Sequence, residues 1–75
     1  MSAPTELVAF IAKAIVSQPE EVEVRAADGG RVIELETSDD DRGRVIGRQG
    51  RVAKAMRAVV NASRHGDGVQ VEILD

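Results

Sequence analysis

The chain has 75 residues, with no cysteine, one phenylalanine and neither tryptophan nor tyrosine; a chain this short closes around one hydrophobic core, so a single domain over residues 1–75 is expected. Lack of cysteine excludes disulfides, thiolate metal sites and thiol nucleophiles and fits a reducing, cytoplasmic setting, while the shortage of aromatic rings argues against single-strand binders that stack bases on aromatic platforms. The formal charge of −3 is unevenly placed: residues 42–66 hold seven basic and no acidic side chains, against three basic and thirteen acidic in the rest, so +7 on one segment opposes −10 elsewhere.

Val8, Ile11, Ala12 and Ile15 follow the i, i+3, i+4, i+7 pattern of an amphipathic helix, predicted over about 4–17, with Pro4 near its first turn and Ser17-Gln18-Pro19 ending it. Its weakly charged run, Leu7 to Val16, is interrupted by Lys13 and is shorter than the roughly 20 residues that cross a bilayer. No basic start precedes it as in a signal peptide, so neither membrane insertion nor processing is expected. Val22, Val24 and Ala26 then alternate with charged residues as a half-buried strand. Asp28-Gly29-Gly30 signals a tight turn before Ile33, Leu35 and Thr37 alternate again, which together read as a hairpin.

Ser38 and Asp39 to Asp41 offer N-cap candidates for a short helix running to about Val45. The aspartates are expected to cap that helix and stay solvated, with their negative charge at its positive end. A second helix, about 51–64, places Val52, Ala55, Met56, Val59 and Val60 on one face and Arg51, Lys54, Arg57, Asn61 and Arg64 on the other. His65-Gly66-Asp67-Gly68 closes it, and Val69, Val71 and Ile73 alternate as a final strand. The order α-β-β-α-α-β predicts an α+β fold. Its hairpin and its two-helix crossover imply a three-stranded mixed sheet covered on one face by three helices.

Between the last two helices lies Gly47-Arg48-Gln49-Gly50. A glycine at each end of a two-residue turn permits backbone conformations closed to other residues and removes side chains that would keep a sugar-phosphate chain from the peptide N–H groups. The following helix points its free N–H groups and positive dipole end at the same spot, and Arg48 can add a charge-assisted contact. A G-x-x-G alone is also what a plain helix–helix turn contains. Here it sits in an acid-free basic stretch, which supplies long-range attraction and close backbone approach for a phosphate polymer at one place.

The run Gly43-Arg44-Val45-Ile46-Gly47-Arg48-Gln49-Gly50-Arg51, followed by Ala53-Lys54-Ala55-Met56-Arg57, resembles the core of a KH domain, and the element order is similar to the type II arrangement. Over nearly its whole length the chain resembles the KhpA family of small bacterial single-KH proteins, including the Ser17-Gln18-Pro19 helix end and the V-x-V-x-I final strand. The resemblance implies binding of single-stranded RNA, with Gly47, Arg48, Gln49 and Gly50 clamping the backbone of about four nucleotides. It also implies Ile46, Val52 and Met56 as apolar floor or adjacent core, and Arg44, Arg51 and Lys54 as flanking phosphate contacts. As partners it implies a second copy or a larger KH protein of the KhpB or Jag kind, and as a role post-transcriptional regulation or RNA chaperoning.

Other chemistry finds little support. His65 has neither a cysteine nor a second histidine to share a metal with, and Met56 at helical spacing reads as core. No Ser/His/Asp grouping is legible, and neither G-x-x-x-x-G-K-[ST] nor G-x-G-x-x-G occurs, so a non-catalytic protein without metal or cofactor is expected. Two alternatives remain: a helix-turn-helix binder of duplex DNA, and a protein-interaction adaptor with a KH shape.

Overall fold

The computed structural model describes residues 3–62 and 68–74. Helix α1 (Ala3–Ile15) leads through a 3-10 turn (Pro19–Glu21) to β1 (Glu23–Ala27) and β2 (Val32–Glu36). A 3-10 turn (Asp28–Gly30) joins these strands, and helix α2 (Asp39–Ile46), a third 3-10 turn (Arg48–Gly50), α3 (Arg51–Ala62) and β3 (Gln70–Ile73) follow. Arg64 and the predicted helix end at His65 to Asp67 lie outside the described residues. The predicted order and fold class hold.

The sheet order is β1-β2-β3, antiparallel between the first two strands and parallel between the last two. Asp28, Gly29 and Gly30 make the hairpin turn with φ of 51°, 66° and 91°. Glycine tolerates that left-handed run where most residues do not. Register aligns Val24 with Leu35, Ala26 with Ile33, Ile33 with Val71 and Leu35 with Ile73, so one sheet face carries the apolar side chains. Against it pack Val8 and Ala12 of α1, Val45 of α2, and Met56 and Val60 of α3, which with Ile33, Leu35 and Val71 form the core. Burying side chains of this size is worth roughly 1.5–3 kcal/mol each.

Three details depart from expectation. Helix α1 stops at Ile15 rather than residue 17 because the N–H groups of Ser17 and Gln18 donate to the carboxylate of Asp41 instead of to helix carbonyls. Val22 is buried just before β1, but Ala26 near the far end of this edge strand is exposed. Its small side chain lies beyond the cover that α1 gives. The apolar face expected on α3 is divided: Ala53, Met56 and Val60 enter the core, whereas Val59 is 47% exposed. Helix α3 packs on the sheet and beside α1 at once, so its apolar arc is shared between two contacts.

Candidate nucleic-acid interface

Helix α2 ends because Gly47 adopts φ 77°, ψ 171°, a region essentially closed to residues with a Cβ. Space forbids a side chain as well, since a Cβ there would lie 2.5 Å from Val52 Cγ2 and 2.8 Å from Val52 N. Gln49 (φ 57°) and Gly50 (φ 72°) are also left-handed. The turn is held by Gly47 N–H donating to Gly43 O (2.8 Å), Gly50 N–H to Gly47 O (3.1 Å) and Arg51 N–H to Arg48 O. The N–H groups of Arg48 and Gln49 take part in none of these bonds, and both residues are exposed. They sit at the start of the 12-residue α3, where its partial positive charge concentrates.

The basic residues divide into two groups. Arg44 on the last turn of α2, Arg48 in the loop, and Arg51 and Lys54 on the first turn of α3 are exposed around the turn. Arg51 reaches back to Gln49 Oε1 at 3.5 Å, and Arg44 Nε stands 3.7 Å from Asp41 Oδ1. Arg57 and Asn61, expected on the same basic stripe, are engaged elsewhere. Arg57 Nη2 donates to Val71 O (3.2 Å), and Asn61 bonds both Val69 O (2.9 Å) and Val69 N–H (3.0 Å), joining α3 to the entry of β3. Arg42 pairs with Asp39 at 2.7 Å.

Of the apolar residues expected near the clamp, Ile46 is 37% exposed just before Gly47, while Met56 is core at 1%. Val52 packs against Gly47 and also lines an apolar groove of about 380 Å³ between α1 and α3, with Ile11, Ile15, Ala55 and Val59. Val52 and Met56 therefore border this groove, and Ile46 is the apolar side chain presented beside the turn.

Among the described residues, acidic side chains gather on the outer face of the sheet. Glu23, Glu34, Glu36 and Glu72 share the outer sheet face, with Arg25 bridging Glu34 (3.0 Å) and Glu36 (3.9 Å). Asp39 is 92% exposed, solvated as expected, but the N-cap position is Ser38 and no side chain makes a cap hydrogen bond there. Asp41 departs from that expectation: it is 1% exposed and inside the protein. Its Oδ1 accepts from Ser17 N–H and Ser17 Oγ (both 2.9 Å), and its Oδ2 from Gln18 N–H and Ser38 Oγ (both 3.0 Å). The carboxyl is lowered from 3.8 to about 2. The main cause is the Ser17 N–H bond, with burial opposing it and the two hydroxyls and Gln18 N–H reinforcing it. The spacing Ser38-x-x-Asp41 is that of a capping box, the signal that could have singled Asp41 out.

A three-stranded mixed sheet backed by helices, with a glycine-bracketed turn joining the last two of them, defines a KH domain in its type II order. Residues 5–73 match the KhpA/KhpB KH-domain family. The chain is 47% identical over 73 residues to a protein of Clostridium perfringens named RNA-binding protein KhpA, covering 92% of this chain and 97% of that one. Proteins of the same name from Treponema pallidum (39% over 74 residues; 93% and 92% covered) and Streptomyces coelicolor (43% over 72; 93% and 90%) are also similar. The chain belongs to the KhpA/KhpB KH-domain family. No solved structure matches it significantly.

Proposed function

We propose that this protein is a non-catalytic binder of single-stranded RNA that holds the strand by its phosphate backbone at the Gly47–Gly50 turn. The observation that carries this reading is that Arg48 and Gln49 are exposed and that their N–H groups take no part in the turn's hydrogen bonds at the positive end of α3. A buried or fully bonded turn could not serve. Gly47 and Gly50 keep the approach open, Arg48 supplies a charge-assisted contact, and Arg44, Arg51 and Lys54 hold the flanking phosphates. Ile46 gives one base an apolar surface to lie on. Charge on the sheet's outer face disfavours a strand there, so RNA is directed to the helical side.

The duplex DNA reading is weaker. A recognition helix needs polar side chains along its free surface; on α3 Arg51 and Lys54 of the first turn are exposed, but beyond them Arg57 and Asn61 are tied to β3 and the exposed flank carries Ala55, Ala58 and Val59. Competition between single-stranded RNA and duplex DNA separates the two. RNA outcompeting duplex supports the clamp, and the reverse order refutes it.

A single small domain with a few phosphate contacts supplies limited affinity, so the protein is expected to work as a homodimer or with a larger KhpB-like or Jag-like KH protein. A second site then raises the effective concentration. Family membership supports this assembly, a role in post-transcriptional regulation or RNA chaperoning, and cytoplasmic location. Among the described residues no helix is long and apolar enough to cross a membrane. Sedimentation across a concentration series tests the assembly, and a single monomeric species at all concentrations, alone and with the partner, counts against it.

A further inference from the structure

We propose that Asp41 is a positioning residue for the clamp: its buried carboxylate locks the first turn of α2 to the segment leaving α1, and so fixes where the glycine turn at the other end of α2 stands. This rests on the RNA-binding reading only for its consequence. The lock itself is geometric.

Helix α2 has eight residues, a rod of about 12 Å at 1.5 Å per residue. A rod that short, ending in a solvent-facing loop, needs two fixed points to hold its direction. Val45, fully buried two residues before Gly47, is the apolar one. Asp41, one turn earlier, is the polar one, and its four hydrogen bonds come from three places: Ser17 by N–H and hydroxyl, Gln18 by N–H, and Ser38 by hydroxyl. Two of the donors are main-chain groups 23 and 24 residues away, so they stand where the backbone holds them and cannot follow α2 if it tilts. The same Oδ1 lies 3.7 Å from Arg44 Nε, which draws that guanidinium back toward the N-terminal end of α2 and restrains where it stands. One carboxylate thus sets both the helix that presents the turn and one of its flanking cations.

Asparagine at this position keeps the shape but has one acceptor oxygen, so its NH2 faces a donor on one side and the lock opens there. Asp41→Asn is expected to weaken binding of a short single-stranded RNA about tenfold, and Ser17→Ala, which deletes one donor of four, about threefold. Both should be measured with enough trimethylamine N-oxide to restore complete folding. A purely structural role predicts full recovery of affinity there; a positioning role predicts that the loss persists. Hydrogen exchange without RNA supplies the second arm. Exchange at Gly47 and Gly50 N–H should quicken in Asp41→Asn while Ile33 and Leu35 in β2 keep their protection. Fully folded variants with wild-type affinity and wild-type exchange at Gly47 and Gly50 would overturn the proposal. The exchange arm decides it even if the wild-type protein proves not to bind RNA, an outcome that would sink the clamp reading instead.

Discussion

The protein contains two glycine turns of similar local shape and different surroundings. At Asp28-Gly29-Gly30 and at Gly47-Arg48-Gln49-Gly50 the backbone enters left-handed space and closes a 3-10 turn. A Cβ added to Gly29 or Gly30 would meet nothing, whereas one added to Gly47 would strike the side chain and backbone nitrogen of Val52. The hairpin turn joins two strands whose outer face is acidic. The other opens a 12-residue helix and has four exposed basic side chains around it. Turn conformation alone does not distinguish the two; the packing that fixes the second turn and the charge that surrounds it do.

The largest effect is expected from charge reversal in the loop. Arg48→Asp with Gln49→Asp removes a charge-assisted contact and places two negative charges against phosphate, so RNA affinity should fall on the order of a hundredfold. Both side chains are exposed, and the thermal midpoint should hardly move. A folded double variant that still shifts RNA on a gel removes the distinction between the two turns.

Next comes alanine at the two glycines. Gly47→Ala combines a disallowed conformation with a steric clash and should cost about 2–4 kcal/mol by chemical denaturation. Gly29→Ala meets only the conformational penalty, about 1 kcal/mol. Equal costs would mean that Val52 does not brace the clamp.

Acid titration gives a smaller and more specific effect. The carboxyl of Asp41 sits at about 2 against an ordinary 3.8. A depressed carboxylate contributes stability that is fully present above the unfolded value and is lost as pH falls through the folded one. The thermal midpoint of the wild type should therefore exceed that of Asp41→Asn by a constant margin above pH 4, and the margin should close between about pH 4 and 2. A margin independent of pH would show that the carboxylate's charge is irrelevant. Smallest is the salt effect: two to four phosphate contacts should give a log-log slope of about −1.4 to −2.8 on single strands, and a slope near zero would contradict a backbone grip.

Much of the molecule was legible in the sequence because its signals are local. Alternation fixes which sides of β2 and β3 enter the core, Asp28-Gly29-Gly30 marks the hairpin, and the acid-free basic stretch frames the G-x-x-G turn. What escaped depends on contacts distant in sequence. Three consecutive aspartates look alike until Ser17 and Gln18 are brought beside the third. Arg57 belongs by periodicity to a basic stripe, yet β3 supplies a carbonyl that holds it. The apolar arc of α3 gives no sign that α1 and the sheet divide it.

The most direct test is to follow backbone amide resonances while a short single-stranded RNA is titrated in. Saturable shifts centred on Arg48 and Gln49 and extending over Gly47 to Arg51, with Glu23, Glu34 and Glu72 on the outer sheet face unmoved, are the predicted result. Shifts confined to the sheet or to the α1–α3 groove, with the turn silent, would contradict the account.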